Sequence, residues 1–387
     1  MITLFLVVFL DLIGFGMIIP VFPFYAEKVG VDPASVIFYL GLYSLGQLVG
    51  APVWGALSDR YGRRPVLLVT LLANAAASWM LGFANTGLLL ALSRVVAGFA
   101  AGNISTAFAY ATDITNDETR PRALGLLGSA FGLGFIVGPA LGGLLAAGDD
   151  PSAGLSRVAN ASALLSLVAF VLTLVRLPES LPVERRSHAS APRPRMTAYL
   201  RRPVLRDLLL STCIVIAAVA LLQSTLAVWT AERLAVGPTT LGWIYGFVGV
   251  LSVAVQGGAI GGLTRRFGAE RLTRAGAVLI GIGLAAVPTV QSMAPLLIAL
   301  AFFAVGTAIF NPSMSGLVAN AAEPHERGAV LGAYQGAASL GRVIGPFAGS
   351  AIARAGSLSW PFVLGAAVSF IGALLIHAQG NRRNGTN

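Results

Sequence analysis

Three charged side chains stand inside long apolar runs of this chain: Asp11, Arg94 and Arg342. A charge at the centre of a bilayer costs roughly 2.5–3.5 kcal/mol on insertion scales. A neutral carboxylic acid costs less, so Asp11 is suited to binding and releasing a proton. The same burial also fits a carboxylate permanently paired for structure. Arg94 is the natural partner, on a helical face with Gly98, Ala101 and Ser105. At 1.5 Å per residue the two charges lie at heights separated by about 9 Å, which tilt and a long guanidinium stem bridge in part. Direct contact and coupling through water or substrate both remain open. Arg342 shares a face with Gln335 and Ser339; it either answers an anionic group or lines a wet crevice.

Other polar faces point to a ligand cavity. Tyr245, Gly249, Ser252 and Gln256 stack on one helical side, and Gln223 and Asn311 are candidate donors. Phe15 and Phe22 share a face with Asp11, as an aromatic wall for a flat apolar ligand requires. For any one of these, ordinary helix packing is the stronger reading.

These residues need elements that place them in lipid, and the composition supplies that context. The 387 residues are 56% hydrophobic and 11% charged, against about 25% charged for a soluble domain. Mean hydropathy is +0.79. The net charge of +10 comes from short arginine runs between apolar stretches, the pattern of a basic membrane face and not of a nucleic-acid surface. Cys213 reads as a small buried hydrophobe. His188, His325 and His377 are too scattered to ligate a metal. No GxxxxGK[ST] loop and no acid–base pair at catalytic spacing is present, so neither an enzyme nor a cofactor is expected. The first apolar run lacks a cleavage-site pattern and reads as a retained spanning helix.

Twelve segments reach the length of about 20 apolar residues that spanning needs: 3–25, 35–57, 66–84, 88–111, 123–146, 157–176, 205–231, 240–262, 273–290, 294–316, 329–353 and 359–377. With both termini in the cytoplasm, only Lys28, Arg157, Arg233 and Arg354 fall outside, and the other arginines apart from Arg94 and Arg342 fall inside. The predicted organisation is an N-terminal six-helix bundle (1–176), a cytoplasmic linker rich in proline, serine and arginine (177–203), and a C-terminal six-helix bundle (204–387).

Internal repetition supports two halves. The basic turn GALSDRYGRRPVL (55–67) returns as GGLTRRFGAERL (261–272), with Arg265 where Asp59 stands. RPRALGLLGSAFGLGFIVGPALGG (120–143) matches RGAVLGAYQGAASLGRVIGPFAGS (327–350), keeping Gly134/Gly341, Gly138/Gly345, Pro139/Pro346 and Gly142/Gly349. Two parallel six-helix repeats are a recurring plan of secondary transporters. Gly134, Gly138 and Gly142 give a smooth face and Pro139 a bend, expected to pack on the partner half as a permeability seal.

These residues resemble the major facilitator superfamily over essentially the whole chain. Gly55–Leu67 looks like its signature loop, LSRVVAGFAAG (92–102) like its helix-4 motif, and GLGFIVGPALGG (132–143) like its helix-5 antiporter motif. LDLIGFGMIIPVFP (10–23) resembles the first helix of the drug:proton antiporters, and AYATDIT (109–115) is close to the tetracycline exporters. Those exporters' helix-3 and helix-9 carboxylates fall at Ala77 and Ile280 and their helix-8 histidine at Ser252; a matching glutamine is kept at Gln256. The resemblance implies an all-α membrane protein of twelve transmembrane helices in two pseudo-symmetric six-helix bundles. It implies proton-coupled antiport of small amphiphilic drugs by alternating access, with Asp11 and Arg94 coupling the proton. It implies a latch of Asp59, Arg60, Arg63, Arg64 and Asp113, in which Arg63 pairs with Asp113 and Asp59 nears the N-terminus of helix 11. An exporter of a metabolite, sugar or lipid is the alternative. The expected partners are a small-molecule substrate, protons and the lipid bilayer, without nucleic acid; a monomer in the inner (plasma) membrane of a bacterium is expected.

Overall fold

The computed structural model describes residues 1–116, 118–148, 150–182, 186, 199–323 and 326–384. Among them the chain is helical throughout and no strand occurs. The first half holds α1 (Ile2–Ile18), α2 (Phe22–Lys28), α3 (Pro33–Tyr61), α4 (Arg63–Gly82), α5 (Gly87–Ala100), α6 (Ile104–Asp113), α7 (Arg120–Leu145) and α8 (Pro151–Arg176). The second holds α9 (Pro203–Leu234), α10 (Pro238–Ala254), α11 (Ile260–Phe267), α12 (Ala269–Ala286), α13 (Met293–Asn320), α14 (Arg327–Ala355) and α15 (Trp360–Asn384).

Each of the twelve apolar segments coincides with a helix or a broken pair of helices. Ten helical runs among the described residues are long and apolar enough to cross a membrane. An eleventh is added if α1 and α2, bent by 41°, count as one span. The remaining segment, 329–353, lies in α14, which carries Arg342 at its middle and is rich in glycine, alanine and serine; apolarity alone therefore does not certify a twelfth span. Two further breaks were not visible in the sequence: a tight turn at Ala101–Asn103 between α5 and α6, and a wide π turn at Val255–Ala259 between α10 and α11. Most of the predicted linker, 183–185 and 187–198, lies outside the described residues.

The chain divides into two compact units, Met1–Ala191 with Val236–Gly249, and Pro192–Ala235 with Val250–Asn387. In the first, α1 packs on α7 and α8, α3 on α5, and α4 on α5 and α8. The α3–α5 seam is close because it is built on small residues: a Cβ on Gly98 would lie 2.0 Å from the Tyr43 carbonyl oxygen. One apolar cluster joins Leu4, Val8 and Leu12 of α1 to Leu67, Tyr110 and Leu127. In the second unit α12 packs on α13, α9 on α14 and α15, and α12 on α15.

The glycine face of α7 meets α1 in place of the partner half expected for it. A Cβ on Gly142 would lie 2.1 Å from the Met17 carbonyl oxygen, and one on Gly138 2.9 Å from Gly16 Cα. Gly134 abuts Leu12. Small residues repeated at this spacing seat whichever helix is nearest, and α1 and α7 belong to the same unit. It is the next residue, Gly143, with the Pro139 carbonyl, that meets α10: Thr239 Oγ1 donates to the Gly143 carbonyl at 2.9 Å, and Gly242 lies against Pro139.

Candidate functional site

Asp11 sits on the face of α1 turned toward α4. Asn74 of α4 donates through Nδ2 to Asp11 Oδ1 at 2.8 Å. Asn103, at the tight turn after α5, presents a second amide to the carboxyl and donates to Thr70 Oγ1 at 3.2 Å. The acid is thus held by neutral amide donors, with no salt-bridge partner among the described residues.

Arg94 of α5 is 2% exposed. Its Nε donates to Ser93 Oγ at 3.4 Å, and its guanidinium carbon lies 5.4 Å from the centre of the Phe22 ring. Its Nη2 has no hydrogen-bond partner among the described residues. No ion pair joins Asp11 to Arg94 among those residues, yet both line one cavity together with Phe15, Tyr43, Asn74 and Ser78. The cavity measures about 20 Å³, room for a water molecule and far too little for a drug-sized ligand. Here a carboxyl and a guanidinium that makes no ion pair among the described residues border the same water-sized space.

The other predicted cavity residues are dispersed. Phe15 lines the Asp11 cavity, stacked on Tyr43 at 4.4 Å between ring centres. Phe22 is fully buried beneath Arg94 and does not line it. Ser105 turns its hydroxyl to the Gly102 and Ala51 carbonyls, at 2.9 and 3.2 Å. Gln223, Gln256 and Asn311 are exposed in the second unit, whereas Ser252 and Arg342 are half-buried there. Arg342 Nη2 donates to Ser339 Oγ at 3.0 Å. None of these five lines the Asp11 cavity.

The basic turn is the second built site. Arg63 Nη1 reaches Asp59 Oδ1 at 2.6 Å and Ser58 Oγ at 2.7 Å, and its Nε reaches Asp113 Oδ2 at 3.0 Å. Arg60 lies over the ring of Tyr61, and Arg64 Nη2 caps the Leu174 carbonyl at 2.6 Å. Glu179, in the stretch read from sequence as the start of a linker, closes the cluster. Its carboxylate accepts from the backbone N–H groups of Arg63 at 2.8 Å and Arg64 at 3.2 Å. That contact satisfies two donors at the start of α4, where a negative charge is favoured. Gly62 makes it possible: its φ is +104°, and a Cβ there would fall 2.3 Å from Glu179 Oε2.

Sequence reading missed Asn74, Asn103 and Glu179. An amide within an apolar run is the only signal the first two carry, and Glu179 looked like one polar residue among many.

Comparison with known proteins agrees with this architecture. The family model described as Major Facilitator Superfamily matches residues 4–293 and 208–383. The class C tetracycline resistance protein of Escherichia coli is 29% identical over 374 residues, 94% of this chain and 92% of that protein. Multidrug resistance protein 1 of Bacillus subtilis (strain 168) is 27% identical, over 95% of this chain and 92% of that protein. The crystal structure of the human organic anion transporter MFSD10 (TETRAN) superposes with a TM-score of 0.71 at 22% identity, covering 97% of this chain and 98% of that one, a likeness of fold. The chain belongs to the Major Facilitator Superfamily: it is a multi-pass membrane transporter of small molecules and not an enzyme.

Proposed function

We propose that this transporter exports small amphiphilic drugs in exchange for protons, by alternating access of its two six-helix halves. The observation that carries the reading is the pairing of the neutral-donor site around Asp11 with an unpaired Arg94 on the same cavity. Protonation of Asp11 from outside releases substrate; loss of that proton to the cytoplasm lets the next molecule load. Relatives named for tetracycline and multidrug resistance support the drug class. The arginine asymmetry supports an orientation with both termini cytoplasmic, in a bacterial inner membrane.

Asp59, Arg63 and Asp113 act in this cycle as a latch on the cytoplasmic side. The linker between halves begins at the latch, because Glu179 follows α8 directly.

Flux into proteoliposomes tests the reading. Under an imposed pH gradient the wild type accumulates a fluorescent amphiphilic cation, and Asp11→Asn shows no gradient-driven uptake while still exchanging substrate at equal pH. Undiminished gradient-driven uptake by Asp11→Asn would sink the proposal.

A further inference from the structure

The second copy of the basic turn borders an open cavity where the first holds its ion-pair cluster. In the first copy Ser58, Asp59, Arg63 and Asp113 form one hydrogen-bonded group. The repeat places Thr264, Arg265 and Ala269 at the first three positions, and Asn320 stands before Arg327 as Asp113 stands before Arg120. All four line a single cavity of about 420 Å³ in the second unit, together with Ser313 and Gly316 of α13. The cause is legible position by position. Alanine replaces the long side chain that fills the first site, a cation replaces one carboxylate, and a neutral amide replaces the other.

The exchange inverts the charge. The first site carries one guanidinium and two carboxylates; the second carries one guanidinium and no carboxylate among its lining residues. Arg265 makes no ion pair among the described residues. Ser313 is 3% exposed, and its hydroxyl has no hydrogen-bond partner among the described residues. At the start of α12 the N-cap Gly268 supplies no side-chain cap and Glu270 stands in the first turn, whereas the first N–H groups of α4 are held by the Glu179 carboxylate. Thr264 spends its hydroxyl proton on the Ile260 carbonyl at 2.8 Å. The donors left for a ligand are Arg265, Asn320, Ser313 and the N–H of Ala269.

We infer that this cavity is an anion site for a phosphate-type oxyanion, either free or presented by an anionic lipid headgroup. A tetrahedral oxyanion accepts from several directions at once, as donors from two helices and a helix start require. In the first copy an acidic side chain, Glu179, does at the start of α4 what the bound anion does here at the start of α12. The site lies at the membrane face that carries the basic turns, where an anionic headgroup is at hand.

Binding to the full-length protein in detergent decides the matter. One arm titrates inorganic phosphate, and a second titrates mixed micelles of phosphatidylglycerol against phosphatidylcholine, each read by calorimetry and by melting temperature. Saturable binding with a raised melting temperature is expected in at least one arm. Response to inorganic phosphate identifies a soluble anion; response to phosphatidylglycerol alone identifies the headgroup. Ala269→Glu, which gives the cavity the carboxylate it lacks, weakens that binding by about tenfold or more. Arg265→Ala, at an exposed position that leaves folding intact, does the same. Absence of saturable binding in both arms, or equal affinity in the wild type and Arg265→Ala, overturns the assignment.

Discussion

Gly62 and Gly268 occupy matching places in the two basic turns and take matching conformations, φ 104° and ψ 160° at one, φ 78° and ψ 154° at the other. Around the first, three acidic side chains and Arg63 satisfy one another and the start of α4. Around the second there is space, a cation and an uncapped helix start. A repeat therefore preserves the backbone that turns the chain while leaving the side chains free to diverge. The first copy carries its own anions, and the second is shaped to receive one. Such divergence is tolerated because a turn is specified by glycine and by local hydrogen bonds, whereas an ion cluster needs several positions to agree at once.

The largest expected break in this comparison is at the glycines. Both occupy a region that only glycine enters readily, so alanine costs roughly 1–3 kcal/mol at either place. At Gly62 the new Cβ also displaces Glu179, whose bonds to two backbone donors are worth about 1–2 kcal/mol more. At Gly268 nothing lies within 4 Å. Melting curves in detergent are expected to show Gly62→Ala well below Gly268→Ala; equal losses would remove Glu179 from the account of the first turn.

A smaller effect is expected from Asp59→Asn. The Asp59–Arg63 pair is largely buried, with 9% of the Arg63 and 18% of the Asp59 side chain accessible, but Arg63 keeps Asp113, so its loss costs about 1–2 kcal/mol of stability. If the proposed latch role holds, the substitution acts on a conformational step, and turnover is expected to fall about fivefold, equivalent to ~1 kcal/mol, with substrate affinity unchanged. Binding weakened in proportion to rate would make Asp59 a substrate-site residue and break the contrast between the turns.

Much of the fold was legible because lipid demands continuous apolar runs, and each run found in the sequence is a helix or a broken pair of helices. Repeats at Gly55/Gly261 and Gly138/Gly345 pointed to two halves, though not to the grouping of Val236–Gly249 with the first compact unit. Asp11 and Arg94 stood out as charges in apolar surroundings, and both line one cavity. What escaped was non-local. Asn74 acquires its meaning only when α4 lies beside α1, and Glu179 only when the chain after α8 folds back on α4. The small-residue face of α7 was visible as a face, but periodicity cannot say which helix it meets; that helix is α1. The breaks at Ala101–Asn103 and Val255–Ala259 have no proline to announce them.

The coupling role proposed for Asp11 can be tested without a membrane. Purified protein in weakly buffered detergent solution, with a pH-indicating dye, reports protons released when a ligand is added. The account predicts proton release on binding by the wild type, and binding without release by Asp11→Asn. Equal proton release by both proteins would contradict Asp11 as the group that exchanges a proton for substrate.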